Sequence, residues 1–201
     1  MLAFSIIHEH VSGARSSENH RDIFWGPGNG RRKTDGGAMG KDRLKIVVAD
    51  YSDDDHRRAI PKLLDAYARD LLGFHKPLAE DVLKRLVAGL ETFPTALVLL
   101  AQMDDAYVGM AICFIGFSTF NARPLINIHD FMVLKAYRQR GIGKALLAAV
   151  ERIARQRGCC KITLEVQMKN EAARRIYQSF GFKATFLDPE AGEQLSLTKA
   201  L

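Results

Sequence analysis

The sequence predicts a mixed α/β domain in which helices flank a central sheet. Apolar runs of strand length alternate with segments whose apolar residues recur at helical spacing. One of these runs, residues 125–133, leads through a glycine turn into a helix. A chain of 201 residues with 47% hydrophobic and 26% charged residues is also ordinary for a globular protein. These observations together indicate one domain and an extension.

The N-terminal segment shows no sustained period of either type. It carries Gly26, Gly28 and Gly30, and then the pair Gly36-Gly37. Such a composition is typical of chain that does not build a core. We therefore predict a mobile extension over residues 1–43 and a folded domain over residues 44–201.

The first half of the domain is predicted to contain a strand, two helices and three further strands. A strand at 44–50 precedes a helix that acidic residues at 53–55 would cap, and Pro61 is expected to kink this helix or move its start. A break at 73–77 separates it from a second helix. Strands are predicted at 96–102, 107–115 and 125–133, and a hairpin turn at 103–106 joins the first two.

The second half alternates helices and strands. Helices are predicted at 141–157 and 170–179, and strands at 160–166, 182–187 and 194–199. The order predicts six to seven strands and about four helices around one sheet.

Charge and cysteine content exclude several classes of protein. Residues 134–201 hold 13 Lys or Arg against 6 Asp or Glu, and this basic excess surrounds the glycine turn without interleaved aromatic residues. A small phosphorylated ligand explains that location better than nucleic acid does. Cys113, Cys159 and Cys160 indicate neither a disulfide framework nor a metal site. No stretch has the length of a membrane span, so we predict a cytoplasmic protein without membrane contact.

The glycine turn is the strongest single motif. Uncovered N–H groups at a helix N-terminus favour an anion. The motif runs Arg138-x-x-Gly141-x-Gly143, and Lys144 follows it. A Walker loop would need Ser or Thr in place of Ala145, and a dinucleotide fingerprint would need Gly in place of Leu146.

What remains resembles the pyrophosphate loop of the GCN5-related N-acetyltransferase (GNAT) family, which transfers acyl groups from coenzyme A to amines. A second motif strengthens the resemblance, with Asn170, Ala172 and Tyr177 preceding Gly181-Phe182 at the family's spacing. The resemblance covers residues 44–199. It implies the GNAT fold, whose mixed, mostly antiparallel sheet splays between the fourth and fifth strands, and it implies acetyl-CoA as the cofactor.

The resemblance also assigns candidate catalytic residues. Tyr177 stands where the family places a general acid beside the coenzyme sulfur, although a core aromatic would occupy the same helix face. Glu165 and His129 are the candidates for the base, and proton removal through a water chain stays a third alternative. By the period of two, Asp130 is expected to face away from His129.

The expected cofactor contacts fall in three segments. The backbone of Phe131, Met132 and Val133 is expected to pair with the pantetheine arm, and Asn170 to contact the same arm or to cap its helix. The pyrophosphate is expected on the glycine loop, formed by Arg138, Gln139, Arg140, Gly141, Ile142, Gly143 and Lys144.

Segments 117–120 and 127–130 resemble strands of diamine and polyamine acetyltransferases, so a small-molecule amine is the expected acceptor. A peptide or protein N-terminus or a lysine is an alternative acceptor, and a non-catalytic acyl-CoA-binding domain is an alternative function. No nucleic-acid partner is expected, and the sequence leaves a homodimer open.

Overall fold

A computed structural model of the protein describes residues 43–70, 73, 75–184 and 199. Within them, five strands form one sheet in the order β1-β2-β3-β4-β5. The strands are β1 Leu44–Val48, β2 Ala96–Met103, β3 Ala106–Ser118, β4 Arg123–Val133 and β5 Ile162–Leu164. The helices are α1 Asp54–Arg69, α2 Glu80–Thr92, α3 Ile142–Gln156 and α4 Glu171–Ser179, and a short 3-10 turn spans Lys135–Tyr137.

The first four strands pair antiparallel, and β5 pairs parallel to β4. The parallel step requires a crossover, which α3 supplies. A two-residue turn joins β2 to β3, because Met103 pairs with Ala106. The mixed, mostly antiparallel sheet and the hairpin are therefore as predicted.

Helices cover both faces of the sheet. The apolar side of α3, including Leu146 and Val150, packs with Ile126 and Ile128 of β4. Ile60 and Leu63 of α1 and Val87 of α2 pack on the opposite face. The helical periodicity seen in the sequence thus corresponds to the faces that these helices bury.

Several predicted boundaries shift. Helix α1 begins at Asp54, with Asp53 as its N-cap, and Pro61 lies inside it. The strand predicted at 160–166 shortens to β5. Residues 182–184 have no regular structure, and the rest of the two last predicted strands, up to residue 198, lies outside the described residues. The extension predicted over 1–43 also lies outside them, apart from Arg43.

Strand β4 contains a bulge at its centre. Ile112 of β3 pairs with Asp130, and the next residue, Cys113, pairs with Ile128, so His129 is the extra residue. The bulge shifts the alternation of side chains by one residue. Ile126 and Ile128 pack on the α3 face, and so do Phe131 and Val133 beyond the bulge.

Candidate active site

The splay between β4 and β5 opens directly beside two of the predicted catalytic residues. The last paired residues are Ile128 and Leu164. β5 ends there, while β4 continues to Val133, so residues 129–133 have no strand partner on that side among the described residues. His129 directly follows Ile128 on β4, and Glu165 directly follows Leu164 on β5. Both residues are exposed.

The bulge overturns the expectation that Asp130 faces away from His129. Asp130 pairs with Ile112, whose side chain belongs to the core under α1 and α2. The His129 ring meets Phe114, which packs against that same core, at 5.5 Å between ring centroids. Both side chains therefore lie on the α1–α2 face. A bulge places two consecutive residues on one side, which the strict period of two does not allow.

Asp130 and Tyr67 are functional candidates that the sequence reasoning missed. Burial raises the pKa of the Asp130 carboxyl, and the neighbouring His129 opposes that rise. Burial also raises the pKa of the Tyr67 hydroxyl, and the charge of Asp130 adds to it. A signal for Asp130 existed in the sequence, because the apolar alternation of Ile126 and Ile128 resumes out of phase at Phe131. Tyr67 carried no signal beyond its place on an apolar helix face.

Tyr177 lies in helix α4 and reaches the same region from the α3 side of the sheet. Its side chain is buried, with rings of Phe131 at 6.0 Å and Phe182 at 5.7 Å. Burial raises the pKa of the Tyr177 hydroxyl to about 12, and Tyr67 adds to the shift. The hydroxyl therefore carries its proton at neutral pH. The core position considered in the sequence is real, and Tyr67 is near enough to contribute to the raised pKa of Tyr177.

The glycine loop has the backbone geometry of an anion site. Gln139 has φ 64° and Gly141 has φ 82°, so the loop turns through left-handed conformations on both sides of Arg140. Gly141 is the N-cap of α3 and supplies no side-chain cap. The N–H groups of Ile142, Gly143 and Lys144 have no acceptor inside the helix, because each would need a carbonyl four residues earlier within α3. The exposed Lys144 side chain adds positive charge.

The arginines of the loop make different contacts. Arg138 donates from Nη2 to Oδ2 of Asp70 at 2.6 Å and from Nε to the Val133 carbonyl at 2.9 Å. Its guanidinium thereby connects the loop to the end of α1 and to the end of β4. Arg140 lies over the Tyr137 ring, with 5.3 Å between the guanidinium carbon and the ring centroid.

The remaining predicted cofactor residues lie at the end of β4 and at the start of α4. Phe131, Met132 and Val133 form the end of β4, where they pair with β3 on one side and have no described strand partner on the β5 side. A Cβ on Gly143 would lie 3.7 Å from the Phe131 ring, so the loop packs directly against this strand. Asn170 is the N-cap of α4, and its Oδ1 accepts from the Ala173 N–H at 3.2 Å. The capping role considered for Asn170 is therefore confirmed, and its cofactor contact stays a prediction.

A sequence profile described as the acetyltransferase (GNAT) family matches residues 60–182, which span α1 to the end of the second motif. The chain belongs to the GNAT family. The resemblance stated from the glycine loop and the Asn170–Phe182 motif is confirmed. Members of this family are acetyl-CoA-dependent acyltransferases.

Sequence relatives of this GNAT chain include aminoglycoside N(6')-acetyltransferases type 1. The Salmonella typhimurium protein is 29% identical over 89 residues, which are 43% of this chain and 61% of the relative. The Stenotrophomonas maltophilia protein is 28% identical over 132 residues, 64% of this chain and 86% of the relative. The alignment with the first relative thus spans about three fifths of that protein's length.

Solved structures support the GNAT fold. The aminoglycoside N-acetyltransferase AAC(6')-Iy, solved in complex with CoA, superposes with a TM-score of 0.64 at 19% identity. The superposition covers 81% of this chain and 98% of that one. At this identity the likeness concerns the fold alone. Within the described ranges, no helix combines the length and the hydropathy that a membrane span requires.

Proposed function

We propose that the protein transfers the acetyl group of acetyl-CoA to a primary amine of a small molecule. The observation that carries the proposal is the position of the β4–β5 splay between two proton-transfer groups. His129 and Asp130 lie at the splay on the α1–α2 face, and Tyr177 approaches from the α3 face. A glycine loop suited to a pyrophosphate lies at the end of the same strand.

The chain fits coenzyme A at two chemically different places. The glycine loop offers uncapped N–H groups and the charges of Arg140 and Lys144, which suit a pyrophosphate held by Gln139–Lys144. The free edge of β4 at residues 131–133 offers peptide groups that suit the amide groups of the pantetheine arm. Asn170, at the start of α4, is assigned to that arm as well. When bound, acetyl-CoA supplies the thioester from which the acetyl group is taken.

Tyr177 is assigned as the general acid. A tyrosine hydroxyl, whose ordinary pKa is about 10, holds its proton at neutral pH, and burial raises the pKa of Tyr177 further, to about 12. That proton goes to the sulfur atom as the carbon–sulfur bond breaks and the carbon–nitrogen bond forms. A positioned acid of this kind contributes roughly a hundredfold or more to the rate of such a step.

The pair His129–Asp130 is assigned to receive the proton that the attacking ammonium must lose. An alkylammonium has a pKa near 10.4 in water, so it is charged when it arrives. The Asp130 carboxylate attracts that charge, and the exposed His129 imidazole can pass the proton to solvent. Glu165 stands at the other edge of the splay and is the alternative base. Direct proton loss to a chain of water molecules is the third route.

A small molecule is the proposed acceptor. The relatives named as aminoglycoside acetyltransferases support this class. The narrower expectation of a diamine or polyamine, drawn from segments 117–120 and 127–130, stays a prediction. The cytoplasmic location and the homodimer also stay predictions.

The test is a thiol-release assay with acetyl-CoA and a panel of putrescine, spermidine, kanamycin A, 2-phenylethylamine and a short peptide. The expected result is turnover of at least one amine, together with coenzyme A binding by titration calorimetry. Coenzyme A binding without turnover of any amine would favour the non-catalytic acyl-CoA-binding alternative. No binding at all would contradict the cofactor assignment.

A further inference from the structure

An open apolar groove of about 490 Å³ lies beside the candidate active site. One wall is a stripe along α2, formed by Val82, Leu86 and Leu90 at intervals of four residues. Phe93, beyond the end of α2, and Phe114 of β3 complete it.

An aromatic series connects this groove to the site. Phe93 meets Phe114 edge to face at 5.4 Å, and Phe114 meets His129 in the same way at 5.5 Å. His129 is the bulged residue at the opening of the splay. When a molecule presents an amine to His129 and Asp130, only the ring of Phe114 therefore separates that amine from the groove.

The groove is also unsuited to a second positive charge. Among the lining residues that the structure describes, Arg85 alone carries a charge, and it bonds Asp81 at 2.7 Å. Every carboxylate between residues 65 and 92 pairs with a basic side chain. The pairs are Asp65–Arg69, Asp70–Arg138, Glu80–Lys84, Asp81–Arg85 and Glu91–Arg57. A polycation entering here would lose water without gaining a free carboxylate from this described stretch of the chain.

We propose that the groove is the acceptor subsite, an inference that rests on the proposed function. It selects a primary monoamine with an aromatic or apolar body, such as an arylalkylamine. The body lies against Phe93 and the α2 stripe, and the amine points to His129 and Asp130. This assignment departs from the diamine expectation of the sequence. Phe93 is 50% exposed and Val82 is 37% exposed, so both offer apolar surface that such a body would cover.

The first experiment compares 2-phenylethylamine with putrescine as substrates. Burying a phenyl ring is expected to lower KM by about tenfold or more relative to putrescine. Phe93→Ala should remove most of this preference, raising KM for 2-phenylethylamine by about fivefold to tenfold and KM for putrescine by a clearly smaller factor. The control is Phe120→Ala, because Phe120 is 86% exposed at the β3–β4 turn and does not line the groove.

A second variant tests the charge argument by adding a carboxylate to the groove instead of removing an apolar side chain. Val82→Asp places a carboxylate on the groove wall in the first turn of α2, where an acidic residue suits the helix dipole. It should lower KM for putrescine and raise KM for 2-phenylethylamine. An unchanged ratio of the two constants would contradict the subsite.

Calorimetric titration of 2-phenylethylamine into protein saturated with coenzyme A gives a readout that needs no turnover. If the wild type binds 2-phenylethylamine and Phe93→Ala weakens this binding while Phe120→Ala does not, the result supports the subsite. This holds even if no amine is acetylated, and in that case only the proposed function fails. Turnover of putrescine or kanamycin A in preference to 2-phenylethylamine would overturn the subsite and keep the proposed function. A dimer whose dissociation follows Phe93→Ala would show that a second copy covers the groove, which also overturns it.

Discussion

The Arg138–Asp70 ion pair offers a sharp test of how the glycine loop works. The guanidinium is shared between the Asp70 carboxylate at the end of α1 and the Val133 carbonyl at the end of β4. The expectation from the sequence was that Arg138 binds the pyrophosphate. The geometry suggests instead that its side chain holds the loop in place while backbone N–H groups bind the ligand. Neutralising each partner separates the two roles.

The size of the effect follows from the exposure of the pair. The side chains are 38% and 18% exposed, and the nitrogen and oxygen lie 2.6 Å apart. Fully exposed pairs contribute about 0.2–1 kcal/mol, and charge-assisted hydrogen bonds reach about 1.5–3 kcal/mol. A value of about 1 kcal/mol is expected for this half-exposed pair. It corresponds to a fall of about 2–4 °C in Tm for a protein of this size.

The assay is a double-mutant cycle with Asp70→Asn, Arg138→Gln and the double variant, followed by thermal unfolding and by coenzyme A titration. The single variants should each lose about 1 kcal/mol, and the double variant should lose about the same amount rather than twice as much. The Kd for coenzyme A should change by less than about twofold in all three. Asp81→Asn is the matched control, since Asp81 and Arg85 form an Asp–Arg pair of similar length whose side chains are 67% and 76% exposed.

One result would refute this reasoning. If Arg138→Gln raises the Kd for coenzyme A by about tenfold or more while Asp70→Asn leaves it unchanged, the guanidinium binds the cofactor directly. The original expectation for Arg138 would then be confirmed. Additive losses of stability in the double variant would show that the two side chains act independently.

Three further predictions concern the site itself. Tyr177→Phe should lower kcat by about a hundredfold or more with the Kd for coenzyme A unchanged, and full activity in this variant would contradict the assignment of the acid. Gly141→Ala should cost about 1–2 kcal/mol in thermal unfolding, because φ is 82° while nothing lies within 4 Å of the added Cβ; Gly89→Ala, inside α2 and equally open, should stabilise the protein. Asp130→Asn should reduce activity and change the pH dependence of stability. Burial raises the Asp130 pKa, so its contribution to stability is present in acid and is lost as pH rises through that pKa. The Tm of the Asn variant relative to wild type should therefore be higher at about pH 8 than at about pH 4, and a constant difference would contradict the buried carboxylate.

Most secondary-structure elements could be predicted from local patterns. The period of α3 and the hairpin at Met103–Ala106 depend on neighbours in the sequence, and both are found where expected. The observed boundaries of helices and strands differ from the predicted ones where the local sequence signal was ambiguous. Pro61 lies inside α1, where it costs one backbone hydrogen bond, and the buried packing of Ile60 and Leu63 offsets that cost.

The candidate site was only partly predictable. The motifs located Gly141, Asn170 and Tyr177 in the structures expected of them, since a glycine turn, an N-cap and a helix face are local properties. The predicted direction of the Asp130 side chain was wrong, because it lies on the same face of the sheet as His129. Strand pairing decides whether a bulge forms, and the partner residues Ile112 and Cys113 lie far from Asp130 in the sequence.

The sequence by itself determined the family, the cofactor class and the order of the elements, because these reside in short motifs and in periodicity. Only the tertiary structure decided which side chains meet. It placed Asp130 beside His129, brought Tyr67 near Tyr177, tied Arg138 to Asp70 and opened an apolar groove next to the splay. The physical reason is that each of these arrangements depends on packing or pairing between elements distant in the chain, as the bulge at His129 depends on pairing with β3, so local preference alone does not establish them.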